Sequence, residues 1–167
     1  ATVIASAKRE AQPTYQGPTG YQPVLALWAE LDLVVADQFR DGNTPAIQEP
    51  LAVAQRALEA LPETVNERYF RGDSACYENE LLDWLRDENR ESGPKGPIGF
   101  AVSAPMMKPL KAEIMALDEN AWQPYREDPE AIWDCAAVGY YPQEKGRREP
   151  LRLSLIHISE PTRQHHI

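Results

Sequence analysis

The sequence predicts an α/β fold, a mixed sheet flanked by helices. Three observations lead there. Two apolar runs, 21–29 (YQPVLALWA) and 33–39 (LVVADQF), sit on either side of a tight turn and read as a hairpin. Apolar residues then recur at helical spacing in several stretches. Between two of those stretches lies an almost wholly apolar run, 98–103 (IGFAVS), the composition of a strand covered on both faces. A chain of 167 residues is long enough for one domain with its own core.

In order, residues 1–5 (ATVIA) read as the remnant of a strand. Residues 8–20 are polar, with Pro13, Gly17, Pro18 and Gly20, and read as a loop. The strand over 21–29 carries Pro23, which confines it to an edge or places the proline at its start. Glu30, Leu31 and Asp32 make the turn, and 40–43 (RDGN) closes the hairpin with turn-forming residues. Thr44 followed by Pro45 predicts a helix start, and Ile47, Leu51, Ala54, Leu58 and Leu61 predict its buried face, stopped at Pro62. A strand over 67–73 follows, then a helix over 77–89 with Leu81, Leu82 and Leu85 inside and Glu78, Glu80, Asp83 and Asp87 outside. Residues 91–97 (ESGPKGP) read as a loop before the strand at 98–103. A further helix opens near Pro109, with Leu110, Ile114 and Leu117 inside. Residues 122–129 read as irregular, 132–141 (IWDCAAVGYY) as a strand, and the charged residues up to Arg152 as loop.

The stretch 67–74 (ERYFRGDS) organises the rest, because its strand stops at Asp73. A carboxylate at the C-terminal end of a strand in an α/β sheet stands where such folds bind ligands. The competing reading makes Asp73 a helix cap or a solvated acid near the positive end of the next helix. Ser74 is the expected cap, with Asp73 beside it. Arg68 and Arg71 flank the acid and could touch phosphate, or be ordinary surface charge. Cys76 reads as a small buried residue, and Trp28, Trp84, Trp122 and Trp133 as core. Asp32, Asp37 and Asp41 read as turn or surface acids.

Composition narrows the chemistry. Net charge is −9, which opposes free-standing nucleic-acid binding but is compatible with an acidic site that meets DNA through metal ions. No apolar run is long enough to span a membrane, and the two cysteines suit a reducing cytoplasm. Residues 153–163 (LSLIHISEPTR) resemble, codon by codon, the translation of a sequencing-library mosaic end and adapter. Residues 153–167 are therefore expected to be an artefactual, disordered tail, and 1–152 the natural part. All three histidines, His157, His165 and His166, lie in that tail. Without them neither a Ser-His-Asp arrangement nor a histidine-ligated zinc site can be built, which leaves carboxylates and hard cations.

Three leading antiparallel strands followed by strand–helix units is the order of the ribonuclease H-like fold. Within that order, ATVI at 1–4, GYQPVLAL at 20–27, RDGNTPA at 40–46, RGDSACYENELLDWL at 71–85 and IGFAVSAPM at 98–106 together resemble the catalytic domain of bacterial insertion-sequence transposases of the DDE class, in the IS-four-related branch. The resemblance implies an incomplete ribonuclease H-like domain over 1–152, with 132–141 opening a β-rich insertion. It matches Asp73 to the second catalytic, metal-binding acid. The first acid would stand just before Ala1, and the third, a glutamate, beyond the insertion. Such enzymes cut and rejoin DNA at insertion-sequence ends with two Mg2+ (or Mn2+) ions about 3.5–4 Å apart, held by carboxylates. The resemblance also implies a homodimer of the full-length protein, no membrane, and no activity for a chain holding one acid of three. The alternatives are a non-catalytic nucleic-acid-associated or assembly domain of the same fold, and another metal-dependent phosphoesterase, which would need a further acid near Asp73.

Overall fold

The computed structural model describes residues 3–45, 47–127, 131–140 and 150–159. The chain divides into two units, Ala1–Pro105 and Met106–Ile167. In the first, β1 (Ile4–Ala5), β2 (Gln12–Pro13) and β3 (Thr19–Tyr21) form a small antiparallel sheet in the order β1-β3-β2. Gly20 sits between Ala5 and Gln12 on the middle strand. A Cβ there would lie 2.1 Å from the Ile4 carbonyl oxygen, so only glycine lets the strands close. Part of the loop expected over 8–20 is therefore strand, made by short backbone pairings that carry no apolar periodicity.

The hairpin forms as its alternation predicts, from β4 (Val24–Trp28) and β5 (Leu33–Gln38), with Pro23 just before the first strand. Asp32 takes a left-handed conformation (φ 56°) in its turn. The helix that packs on the hairpin, α1 (Pro50–Glu59), starts later than Thr44 and Pro45 suggest. Those residues are used in successive turns, Thr44 N–H donating to the Asp41 carbonyl and Gln48 N–H to that of Pro45, each at 3.0 Å. Pro50 supplies the fixed φ of the first turn instead. Ala54 and Leu58 are buried as expected, Leu51 and Leu61 flank the core, and Ile47, ahead of the true start, is exposed.

After α1 come β6 (Tyr69–Gly72), α2 (Asn79–Arg86) and β7 (Gly99–Val102). The two strands are parallel, in register from Tyr69↔Gly99 to Gly72↔Val102. Leu81, Leu82 and Leu85 lie on the buried face of α2, joined by Trp84. With Ala54, Leu58 and Ile98 most of this face makes the core of the unit, and Phe70, Cys76 and Phe100 pack around it. β7 is only half-buried and Ala101 is exposed; among the described residues β6 is its one strand partner.

The loop between α2 and β7 is built around a buried cation that periodicity does not reveal. Arg90 is 1 % exposed. Its guanidinium donates to the carbonyls of Trp84 (2.9 Å), Leu85 (3.2 Å), Gly96 (2.9 Å) and Pro94, and lies 5.2 Å from the Trp84 ring centroid. A planar fork of donors suits such a cluster of carbonyls. Trp84 Nε1–H reaches the Ser92 carbonyl at 3.1 Å, and Gln55 of α1 donates to the Ser92 hydroxyl at 2.9 Å.

In the second unit α3 (Lys108–Met115) has Pro109 in its first turn, Leu110 buried and Ile114 half-buried. It packs against β9 (Ile132–Tyr140), the middle strand of an antiparallel sheet ordered β10-β9-β8. One expectation is corrected here: residues read as irregular form β8 (Gln123–Glu127). β10 is Leu151–Ser159. Residues 141–149 and 160–167, including His165 and His166, lie outside the described residues. The chain is thus a mixed α/β protein with several small sheets and three α-helices among the described residues. None of those helices is long and apolar enough to cross a membrane.

Candidate functional site

β6 ends at Gly72, and Ser103 N–H donates to the Gly72 carbonyl at 3.2 Å, so the C-terminal ends of β6 and β7 lie side by side. Asp73 follows at once, exposed and extended (φ −78°, ψ −173°). Its Oδ1 accepts from Ala75 N–H at 3.0 Å, and its carbonyl from Cys76 N–H at 3.0 Å. Asp73 therefore caps a one-turn 3-10 helix, Ser74–Cys76, and Ser74 is inside that turn rather than capping it. α2 begins two residues later than the expected start at Tyr77. Glu78 caps it, its two carboxylate oxygens taking Glu80 N–H and Leu81 N–H, each at 2.9 Å. The capping reading of Asp73 is a geometric fact; a carboxylate that caps a turn still presents a negative charge at a strand end.

The surroundings of Asp73 are mixed. Cys76 is half-buried against the core, and burial pushes its thiol up, with the Asp73 carboxylate adding to the shift. Arg40 acts on the same thiol in the opposite sense. Arg40 is itself 5 % exposed, and its Nε and Nη2 donate to Gln38 Oε1 at 3.0 and 2.8 Å. Burial pulls its guanidinium down, while Glu49 and Cys76 work against that. In the sequence Arg40 reads as a turn residue. The one available signal was a charged side chain directly after an apolar strand. Arg71 is exposed on β6, and the Nε of half-buried Arg68 is buried without a hydrogen-bond partner.

Other singled-out acids stay apart in role. Asp32, Asp37 and Asp41 are exposed, as are Glu80 and Asp87; Asp83 is half-buried. Trp84 is buried, whereas Trp28, Trp122 and Trp133 are half-buried. A cavity of about 390 Å3 is lined by Pro13, Thr14, Gln22, Gly42 and neighbouring residues, and Asp73 does not line it.

Asp73 offers the hard oxygen that Mg2+ prefers, but a stable site needs several such ligands. Among the described residues no three His, Cys, Asp or Glu side chains come together in a metal-holding group. The described residues do not by themselves fit a two-metal centre. Comparison with protein-family models, with curated proteins and with solved structures finds no match to this chain.

Proposed function

We propose that this chain is part of the catalytic domain of a DDE-class insertion-sequence transposase, with a ribonuclease H-like fold. One observation carries the reading. Five segments that resemble the family occur in order along the chain, and the acid among them, Asp73, follows directly on the C-terminal end of β6. A β6-α2-β7 unit with parallel strands and an antiparallel hairpin under α1 are also what such a domain would contain. In this reading the full protein cleaves and rejoins DNA at element ends in the bacterial cytoplasm with Mg2+ or Mn2+, working as a homodimer. Asp73 supplies one carboxylate of three, so this chain alone is inert.

The test is nicking of supercoiled DNA in Mg2+ or Mn2+. This chain should give none. The full reading frame should nick, and Asp73→Ala should reduce nicking to background. Robust nicking by this chain that Asp73→Ala abolishes would overturn its assignment as inert. A full reading frame whose nicking survives Asp73→Ala would overturn the site. The second reading, a non-catalytic assembly domain, is favoured by the capping bond from Ala75 N–H to Asp73. A natural start codon directly before Ala1, in place of an in-frame Asp, would select it.

A further inference from the structure

We propose that the cavity lined by Thr14, Gln22 and Gly42 binds a small, uncharged, amino-bearing aromatic ring, the chemistry of a free adenine nucleoside. The cavity measures about 390 Å3 and belongs to the first unit. That volume falls at the small end of the range for ligand sites, about 300–1,000 Å3. Its walls are held by local bonds. Gln22 N–H donates to the Arg40 carbonyl at 2.9 Å, Thr14 Oγ1 to the Pro18 carbonyl at 2.7 Å, and Thr44 N–H to the Asp41 carbonyl at 3.0 Å. Gly42 is pressed against β2 and β3: a Cβ there would fall 2.3 Å from the Gln12 carbonyl oxygen and 2.5 Å from that of Gly20.

Gln22 is the polar group that the fold leaves unanswered. It is 2 % exposed. Its Nε2 donates to the Gly42 carbonyl, which fixes the end of the amide that carries the oxygen. Oε1 is shut off from solvent and has no hydrogen-bond partner among the described residues. An unmet buried acceptor is costly, so a molecule that brings it a donor recovers that cost. The donor comes from the cavity that the Gln22 side chain lines, with exposed Asn43 and Pro45 giving way at the rim.

The other walls choose the rest of the ligand. Pro13, Tyr15 and Pro45 present apolar rings, and Tyr15, 68 % exposed, is a face on which a flat ring can stack. Every lining residue is uncharged and the chain carries −9, which disfavours an anion such as a nucleotide phosphate. A sugar would bring many hydroxyls against proline and tyrosine rings, whereas an amino-bearing ring brings its donor on a broad apolar body. Asp73 does not line this cavity, so the site is independent of the activity proposed for that acid.

Titration of the 15N-labelled full chain with adenosine, followed by NMR, tests the site. The amide resonances of Thr14, Gly42 and Thr44 should move saturably, with a Kd of about 1 mM or tighter. Purine riboside, the same ring and sugar without the amino group, should bind about tenfold more weakly. Tyr15→Ala should weaken adenosine binding about tenfold while leaving the urea midpoint unchanged. Absence of a saturable shift at these three amides would overturn the site and leave Gln22 met by water only. Equal affinity for purine riboside would remove the donor to Gln22, and undiminished binding by Tyr15→Ala would remove the stack; either overturns the proposal. A single-stranded oligodeoxyadenylate that moves the same resonances more tightly than adenosine would overturn the free nucleoside in favour of a base carried on a strand.

Discussion

Gly72 sets how closely the Ser74–Cys76 turn folds back on β6. A Cβ at this position would lie 2.6 Å from Cys76 Cβ and 2.7 Å from its Sγ, with Phe70 at 3.1 Å. None of these neighbours can swing away as the tip of a long side chain does, so the backbone must shift. Gly72→Ala is expected to destabilise the chain by about 1–3 kcal/mol, seen as a lower urea midpoint with an unchanged slope. At the next residue, Asp73→Ala removes the bond from Ala75 N–H and should cost about 0.5–2 kcal/mol. Asp73→Ser keeps a capping oxygen and discards the carboxylate. It should therefore be nearly as stable as the parent in urea, yet as inactive as the alanine variant when placed in the full reading frame. The pair separates the structural role of this side chain from its proposed chemical one. Cys76 adds a pH dependence. Burial first, and then the Asp73 charge, raise its folded-state thiol above the ordinary value. The unfolded chain then loses this proton first as pH rises, so stability should decline from about pH 8.5 upward, until the folded thiol titrates too. Cys76→Ser should flatten that part of a stability-against-pH curve; a slope unchanged by the substitution would remove Cys76 as its source.

The loop from α2 to β7 has a centre that its sequence pattern does not show. Glycine and proline between residues 91 and 97 predict irregular chain correctly, but not that Arg90 fills its centre, because the partners are backbone carbonyls and leave no trace in side-chain spacing. Arg90→Met should leave those acceptors buried and unsatisfied and lower stability by about 3 kcal/mol or more. Arg90→Lys should recover only part of that, since an ammonium cannot reproduce the planar fork; both follow from urea denaturation monitored by tryptophan fluorescence. Elements governed by their own periodicity were legible. Leu81, Leu82 and Leu85 mark the buried face of α2, and the runs around the Asp32 turn mark the hairpin. Elements whose limits depend on competing local bonds were not. Thr44-Pro45 and Glu49-Pro50 both resemble helix starts, and the turn bonds at Thr44 and Gln48 decide for the second. β8 was hidden for a different reason: with Pro124 inside it and a shifted register, it is held by pairing to β9 rather than by alternation. At the candidate site the position of Asp73 at a strand end was readable, while the identity of the cap and the burial of Arg40 required the fold.

At the scale of the molecule, the core of the first unit, from Ala54 to Ile98, lies wholly within Ala1–Pro105. A chain of residues 3–105 should therefore unfold cooperatively in urea, and the Trp84 indole N–H resonance in the whole chain should follow the same transition; a non-cooperative profile for the shorter chain would show that this unit depends on the rest. Charge makes a separate demand on function. Duplex DNA is polyanionic, and affinity built on lysine and arginine contacts falls with a log–log salt slope of about 0.9 per neutralised phosphate. A chain of net charge −9 has no excess of cations to supply such contacts. Arg71, exposed on β6, and half-buried Arg68 are the nearest cations in sequence before Asp73, and two residues would support a slope of at most about 2. Fluorescence anisotropy with a labelled duplex in EDTA should accordingly show weak binding with a shallow salt dependence, lowered further by Arg71→Gln. A steep slope in EDTA would mean that DNA is held by a basic surface elsewhere, and the proposal that an acidic site meets DNA through metal would lose its electrostatic basis.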